Sequence, residues 1–212
     1  MTSNYIFVAR HGSTELNDPS DERLRSWSAV PLSDEGREEV RKAAQALKKD
    51  PPDAIYTSDL PRARESADII NEELGGKIPV TDVAQLRPWN LGVLQGKRIN
   101  DIAGELERLH RNHNDRPEKG ESYKEFYTRW GKSLEQLRKL QQKSLLVVHA
   151  RNVYSLPSLL TNGEKPIPVM GPPHPSDILK LDDKGSLSYH YKSDRHNERQ
   201  TKAEVKGRRV SG

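Results

Sequence analysis

Residues 5–12 of the chain read YIFVARHG, an apolar run that ends in arginine, histidine and glycine. The run is rich in residues that favour β-structure and holds no polar residue before Arg10, which is typical of a strand buried on both faces of a sheet. Residues 144–149, SLLVVH, repeat this pattern, and His149 follows the apolar residues directly. Both runs therefore predict central strands that end at a polar edge of the sheet.

Helices are predicted between these strands. Ser33 is suited to cap a helix that must end before Pro51. The order Ser122-Tyr-Lys-Glu125 is a capping box, and it predicts the start of a long helix that ends near Gln142. The other predicted elements are a strand at 53–58, a helix at 60–74, a strand at 77–81, a helix at 152–160 interrupted at Pro157, and a hairpin at 178–191.

The alternation of strands and helices predicts an α/β fold, a three-layer sandwich with a mostly parallel central sheet flanked by helices. We expect one domain over residues 1–192. Within it, the glycine-rich and highly charged stretch at about 93–121 is interpreted as a small lid insertion. Residues 193–212 are basic and show no apolar periodicity, so they are predicted to form a disordered tail.

Composition narrows the functional class. The chain has 212 residues and no cysteine, which excludes disulfides, thiolate metal sites and a cysteine nucleophile. Its net charge of +4 favours anionic substrates without requiring nucleic acid. We find neither a secretory signal at the N-terminus nor an apolar run near the ~20 residues of a membrane helix. A cytoplasmic protein with no membrane partner is the expectation.

Chemically active residues follow three of the predicted strands. In open α/β sheets, ligands bind beyond the carboxyl ends of the strands. Arg10 and His11 follow the first strand, Arg62 lies just after the second, and His149 follows the run at 144–148. Arginine binds phosphate oxygens with two parallel hydrogen bonds, and a neutral histidine can attack phosphorus. Each residue alone is more often a surface or loop residue, but their coincidence predicts a phosphate pocket.

These residues also carry a family resemblance. Residues 10–17, RHGSTELN, resemble the R-H-G-x-T-x-x-N signature of the histidine phosphatase (phosphoglycerate mutase-like) superfamily. Further matches follow in the family's order at PLSDEG (31–36), SDLPRA (58–63), LG (91–92), GES (120–122) and VVH (147–149). The resemblance covers roughly residues 5–150 and implies a phosphohistidine enzyme intermediate, with no cofactor and no metal.

The resemblance also implies roles for individual residues. It makes His11 the nucleophile, and it makes Arg10, Arg62 and His149 phosphate ligands, with His149 protonated while it stabilises the transferring group. Asn17 matches a further phosphate contact of the family, although a turn asparagine explains that position equally well from the sequence. Arg151 has no counterpart in the family pattern, and it is either a substrate contact or a strand-end charge.

One departure from the family pattern concerns the proton donor. Many members carry a glutamate that protonates the leaving oxygen, and here Pro88 stands at that position. Proline cannot donate a proton, so either another acid acts or the leaving group needs little help. Glu121 is the first candidate acid, although it could also merely flank a helix start, and Glu15 and Asp18 are weaker candidates. A family branch without this glutamate dephosphorylates phosphohistidine on proteins.

The sequence therefore predicts a metal-independent phosphatase that acts on a small phosphorylated substrate or a phosphohistidine protein. Phosphoglycerate mutase is the alternative enzyme, and a non-catalytic phosphate- or nucleic-acid-binding module is the alternative of another class, although a nucleic-acid partner is not expected. His110, His113 and Asp115 could form a metal site, but a charged lid explains them better. Specificity is expected to come from residues 17–30 and the predicted lid, and the sequence carries no signal for an oligomeric state.

Overall fold

The central sheet is mixed but mostly parallel. The structure is a computed structural model that describes residues 5–18, 20–161 and 173–194. Its six strands are β1 Ile6–Arg10, β2 Ala54–Thr57, β3 Val80–Asp82, β4 Ser144–Val148, β5 Ile178–Leu181 and β6 Leu187–Tyr191. They are arranged in the order β3-β2-β4-β1-β5-β6, in which the first four are mutually parallel and β5 and β6 form an antiparallel hairpin at one side. The predicted α/β sheet is confirmed.

Helices cover both faces of this sheet. They are α1 Asp34–Gln45, α2 Pro61–Glu73, α3 Ala103–Arg111, α4 Tyr123–Arg138 and α5 Ala150–Leu160. Alternate residues of β1 point to opposite faces. Phe7 and Ala9 pack in a core with residues of α1 and α2, whereas Ile6 and Val8 pack in a second core with residues of α4 and α5. The protein is thus a three-layer sandwich. None of the described helices is long and apolar enough to cross a bilayer.

The helix starts agree with the predicted caps. The Ser33 Oγ accepts a hydrogen bond from the Gly36 N–H at 3.1 Å. At the start of α4, the Glu125 N–H donates to the Ser122 Oγ at 3.2 Å, and the Ser122 N–H donates to the Glu125 carboxylate at 2.8 Å. One prediction was wrong: α5 is continuous through Pro157. Proline removes one backbone hydrogen bond, but burial of the preceding Leu156 keeps the helix packed on the core.

The stretch predicted to form a lid is anchored to the core. It holds short 3₁₀ turns and α3, and its side chains Leu94, Ile102 and Leu109 are buried in the core on the α4 side. Its action as a lid stays a prediction. In the predicted tail, the Ser193 N–H donates to the Asp177 carboxylate at 2.9 Å, and residues 195–212 lie outside the described residues.

Candidate active site

Three strand ends meet at one edge of the sheet. Arg10 is the last residue of β1 and pairs with Val148, the last residue of the adjacent β4. The His11 N–H donates to the Val148 carbonyl at 3.0 Å, which brings the residue after β1 beside the residue after β4, His149. Strand β2 flanks β4 on its other side, and Arg62 lies in the first turn of the helix that follows it. The structure thus brings Arg10, His11, Arg62 and His149 together.

Glycine allows the turn after β1 to lie directly against the start of α1. A Cβ atom on Gly12 would overlap the Gly36 carbonyl oxygen, and a Cβ on Gly36 would overlap the Ser13 carbonyl oxygen. The Gly12 N–H donates to the Ser66 Oγ at 3.2 Å, which ties the same turn to α2. Any side chain at either glycine would therefore displace the backbone that carries His11.

The two histidines face each other inside the protein. Their ring centroids are 5.0 Å apart, and only 2% of His11 and 3% of His149 is exposed. The Nδ1 atom of His11 lies 2.7 Å from the carbonyl oxygen of Gly12. A carbonyl can only accept, so Nδ1 carries the hydrogen and Nε2 holds the lone pair of the neutral ring. This is the tautomer that a histidine nucleophile needs.

Backbone carbonyls hold the guanidinium groups of Arg10 and Arg62. The two Nη groups of Arg62 donate to the carbonyls of Ser26 and Ser28, each at 2.8 Å, and Arg10 donates to the carbonyl of Pro173. Among the described residues, the Nε atoms of Arg10 and Arg62 and both ring nitrogens of His149 are buried without a hydrogen-bond partner. Leaving a buried donor unpaired costs about 1–3 kcal/mol. Unpaired polar atoms of Arg10, Arg62 and His149 around one cavity indicate a binding site for an anion.

A cavity of about 260 Å³ contains these groups. Four guanidinium groups and two imidazoles supply its polar lining, and the remainder of its wall is largely apolar. The lining residues are Arg10, His11, Leu24, Arg25, Ser26, Arg62, Pro88, Trp89, Leu91, Ile99, Leu106, His149, Ala150, Arg151 and Tyr154. None of these described lining residues carries a carboxyl group, so the cavity has the electrostatic character of an anion site.

Burial and positive charge keep both histidines neutral. Burial lowers the pKa of His11 well below 6.5, and the charges of Arg62, Arg10 and Arg25 lower it further. Burial and then Arg62 likewise lower the pKa of His149 well below 6.5. His149 is therefore neutral in the free protein, and its protonation during transfer of the phosphoryl group stays a prediction. A bound phosphate dianion would act in the opposite direction, because a nearby negative charge raises the pKa of an imidazole.

The arginines remain charged at neutral pH despite their environment. Burial, followed by the charge of Arg25, lowers the pKa of Arg10 and that of Arg62 to about 9 each. Burial also lowers the pKa of Arg25 itself. A cluster of like charges in a poorly solvated cavity is unfavourable unless an anion compensates it.

Arg25 is the cavity residue that reasoning from the sequence missed. It lies in an irregular loop between β1 and α1, where neither periodicity nor a motif distinguishes it from the neighbouring Arg23. The only sequence signal was the general expectation that residues 17–30 set specificity. Its side chain is 14% exposed, whereas that of Arg23 is 37% exposed, and Arg23 does not line the cavity.

Residues 88 and 151 both line the cavity. Pro88, at the position of the family's glutamate, accepts hydrogen bonds through its carbonyl from Trp27 Nε1 at 2.8 Å and from Arg129 at 3.2 Å. Arg151 lies in the first turn of α5, and its guanidinium is 6.0 Å from the ring centroid of Trp89 and 5.9 Å from that of Tyr154. Arg151 is thus placed to contact a substrate.

The structure does not bring Glu121 to the cavity. Its carboxylate accepts from the Asn90 N–H at 2.9 Å and from Arg129 at 2.7 Å, and its backbone carbonyl accepts from Trp89 Nε1. Both carboxylate oxygens bond to Arg129, one at 2.7 Å and the other at 3.3 Å. These contacts give Glu121 a role in fixing the 88–91 loop, and we do not assign the acid role to it.

Asn17 and the two weaker acid candidates also lie away from the cavity lining. The Asn17 Oδ1 accepts from the Thr14 N–H at 2.9 Å and from the Thr14 hydroxyl at 3.1 Å, which closes a short 3₁₀ turn. Glu15 is exposed, and Asp18 accepts from the N–H and hydroxyl of Ser20. The contacts of Asn17 fit the turn interpretation that the sequence left open.

His110 and His113 pack against an aromatic ring. Their ring centroids lie 4.8 and 4.9 Å from that of Tyr123, respectively, and Asp115 pairs with Arg108. Within residues 5–18, 20–161 and 173–194, no three His, Cys, Asp or Glu side chains come together in a way that could hold a metal ion.

Fold and site together define an α/β protein with a cationic pocket built around two neutral histidines at the strand ends. The chain matches the histidine phosphatase superfamily (branch 1) over residues 6–166. It belongs to this family, as the resemblance implied.

Relatives and solved structures agree with this assignment. A protein of Photorhabdus laumondii named "Probable phosphoglycerate mutase GpmB" is 33% identical over 151 residues, which cover 68% of each chain. A phosphoglycerate mutase structure from Thermus thermophilus has a TM-score of 0.67 at 27% identity and covers 87% of this chain and 96% of its own. A mycobacterial glucosyl-3-phosphoglycerate phosphatase complexed with VO3 shares the fold, with a TM-score of 0.70 at 24% identity and coverage of 88% and 97%.

Proposed function

We propose that this protein is a metal-independent phosphatase that hydrolyses phosphomonoesters or phosphohistidine through a phosphohistidine intermediate on His11. The observation that carries the proposal is the hydrogen bond from His11 Nδ1 to the Gly12 carbonyl at 2.7 Å. It leaves the Nε2 lone pair for attack in a cavity lined by four guanidinium groups. Those fixed charges supply the electrostatic stabilisation that a phosphoryl transfer requires.

In the first step, His11 Nε2 attacks phosphorus on the side opposite the leaving group. The N–P bond forms while the P–O or P–N bond to the leaving group breaks, and its electron pair remains on the leaving atom. Arg10 and Arg62 balance the charge of the non-bridging oxygens, since their Nε–H groups lie unpaired in the buried site. His149, 5.0 Å from His11 between ring centroids, donates to the same group once the dianion raises its pKa.

In the second step, water attacks the phosphorus of phosphohistidine. The N–P bond breaks and its electron pair returns to Nε2, so inorganic phosphate leaves and His11 regains its starting form. The two protons of the attacking water are divided between the departed leaving group and the phosphate. The net reaction is hydrolysis of one phosphate ester or phosphoramidate bond, with no net change in the enzyme.

The lining of the cavity favours substrates with a good leaving group. None of the described residues that line it carries a carboxyl group, and Glu121 is occupied by Arg129 and Asn90. A phenolate or an imidazole leaves without strong acid assistance, unlike an alkoxide. The partly buried apolar side chains Leu24 and Leu106 provide a wall suited to an aromatic leaving group. Aryl phosphates and phosphohistidine are therefore the preferred substrate classes.

Phosphoglycerate mutase is the second candidate, because relatives of this chain carry that name. A mutase must return the phosphoryl group from His11 to a second hydroxyl, which requires a group that removes the proton from that hydroxyl. Transfer to water needs the same removal of a proton, so the lack of a carboxyl group among the described lining residues does not separate the two activities, and an isomerisation assay does. The third candidate, a phosphate-binding module without turnover, predicts binding alone.

The proposal is tested with p-nitrophenyl phosphate in the presence of EDTA. We expect turnover by the wild type, no turnover by His11→Ala, and near-normal turnover by the matched control His113→Ala, whose residue does not line the cavity. Rapid quenching with ³²P-labelled substrate should trap an acid-labile, base-stable phosphate on His11. Label on serine or aspartate would overturn the proposal. Isomerisation of 3-phosphoglycerate faster than phosphate release would support the mutase, and phosphate binding without turnover would support the binding module.

A further inference from the structure

The loop between β1 and α1 is built against the active site. The Ser26 and Ser28 carbonyls accept the two hydrogen bonds from Arg62. The Ser26 hydroxyl donates to the Trp89 carbonyl at 3.1 Å and accepts from the Leu91 N–H at 2.8 Å, which fixes the loop to the opposite wall of the cavity. Ser26 adopts a φ of 44°, which is uncommon for a residue with a side chain. This backbone conformation is therefore held by its surroundings.

Arg25 is carried by this loop into the same cavity as His11. Its Nη1 donates to the Leu16 carbonyl at 2.9 Å, which connects the loop to the turn that follows the nucleophile. A guanidinium has five N–H donors in a planar fork. Within the described residues, the contacts with Leu16 and Glu22 take two of them. The Arg25 side chain, which carries the remaining N–H groups, lines the cavity, so these groups can donate to a bound anion.

The charge of Arg25 has only weak compensation from the protein. Among the described residues it pairs with the carboxylate of Glu22 at 3.4 Å, and the Glu22 side chain is 48% exposed, so water screens the pair. Arg25 is also the principal neighbouring charge that lowers the pKa of Arg10 and of Arg62. Holding three guanidinium groups this close is unfavourable in the free protein, and a phosphoryl dianion between them would relieve it.

We propose that Arg25 is a further catalytic residue that binds the non-bridging oxygens of the phosphoryl group as it moves to and from His11. The inference rests on the proposed function. Arg25 neither gains nor loses a proton in either step: the N–P bond forms and breaks at His11, and the guanidinium only compensates the charge on the oxygens. It comes from a loop, whereas Arg10 ends strand β1 and Arg62 lies in the first turn of α2.

The test compares Arg25→Gln and Arg25→Lys with Arg23→Gln, a control on the same loop outside the cavity. With p-nitrophenyl phosphate we expect Arg25→Gln to lower kcat/KM by at least ~100-fold, the effect of removing one preorganised donor. Arg25→Lys keeps the charge but loses the fork, so we expect an intermediate loss. Arg23→Gln should stay near the wild type. Equal effects of Arg25→Gln and Arg23→Gln would overturn the inference.

Two further measurements separate a contact with phosphate from a structural role. The affinity for orthovanadate, a mimic of the transferring group, should fall at least ~10-fold in Arg25→Gln, about 1.4 kcal/mol. The acid limb of the kcat/KM profile should move to higher pH in Arg25→Gln and not in Arg25→Lys, because Arg25 lowers the pKa of His11. Unchanged vanadate affinity with an unmoved acid limb in a folded Arg25→Gln would overturn the inference.

Failure of the proposed function gives a different result. A wild type without phosphohistidine on His11 would contradict the proposed mechanism, and vanadate and inorganic phosphate binding would still test Arg25. A loss of activity in Arg25→Gln only on substrates with a second anionic group, with p-nitrophenyl phosphate unaffected, would assign Arg25 to the leaving group and overturn its role at the phosphoryl group.

Discussion

The two ends of the active-site cavity are built in different ways. The inner end consists of Arg10, His11, Arg62 and His149, which lie at strand ends or in the first turn of a helix and are fixed by backbone hydrogen bonds. The outer end includes Tyr154, which is 46% exposed, and wall residues from the loops and α3. The difference indicates that the sheet edge positions both histidines and two of the arginines, whereas loops and helix surfaces form the rest of the cavity wall.

The largest effects should come from the inner end. We expect Arg62→Ala and His149→Ala each to lower kcat by roughly 10²–10³-fold, the range for loss of a preorganised donor. Leu106→Ala, at the outer wall, should change mainly KM and by much less. Steady-state kinetics with p-nitrophenyl phosphate measures both parameters. A near-normal kcat for either inner variant would mean that the inner end does not make the larger contribution to turnover.

The next largest effect concerns the leaving group. Because none of the described residues that line the cavity carries a carboxyl group, alkyl phosphates should turn over roughly 10²-fold more slowly than aryl phosphates, the lower range of what a general acid contributes. A series of substrates of graded leaving-group pKa measures this dependence.

Glu121→Gln serves as the control for that series. It should leave unchanged the slope of log kcat/KM against the pKa of the leaving group. Equal wild-type rates on alkyl and aryl phosphates would reveal an efficient acid. A selective loss on alkyl substrates in Glu121→Gln would identify Glu121 as that acid despite its contact with Arg129.

A smaller effect is expected on stability as a function of pH. The pKa values of His11 and His149 are lowered in the folded protein, whereas an unfolded histidine titrates near 6.5. Between the folded and unfolded values the unfolded chain binds more protons, so the free energy of unfolding is highest above about pH 7 and falls as pH falls through 6.5.

Each kcal/mol lost should lower Tm by roughly 2–4 °C for a chain of this size. Thermal unfolding between pH 7.5 and 5.0 measures this change. The double variant His11→Asn, His149→Asn should show a weaker dependence in that range. An identical dependence in both proteins would mean that other groups cause it.

The smallest effect should come from Asn17. Because its Oδ1 accepts from the Thr14 N–H and hydroxyl, Asn17→Ala should cost about 1 kcal/mol of stability, as loss of a capping side chain does. We expect kcat to stay within a few-fold of the wild type. Denaturant unfolding and kinetics on the same preparation test both statements, and a ~100-fold fall in kcat would instead support the phosphate contact that the family resemblance implied.

The sequence predicted the residues that follow the strands well and the loop residues poorly. Apolar runs marked β1 and β4, and because parallel strands end at the same edge, His11 and His149 could be placed together from the sequence alone. The position of Arg25 depends on hydrogen bonds of the adjacent Ser26 with Arg62 and with residues 89–91, which are distant along the chain and which no local pattern records. Glu121 was the first candidate acid, but its carboxylate pairs with Arg129, and this orientation depends on tertiary contacts.

The sheet order also has a consequence for biosynthesis. Strand β1 leads into His11 and is made before the other strands, yet both its neighbours in the sheet, β4 and β5, lie more than 130 residues further along the chain. Strand pairings between residues this distant along the chain form late, because the long loop between the two strands must close, at a cost in entropy, before the strands make any contact. A nascent chain that ends before β4 has His11 but neither the Val148 carbonyl that holds its backbone nor His149. If the proposed phosphatase activity is correct, it is a direct readout of completed folding, and chains that end before β4 should be inert.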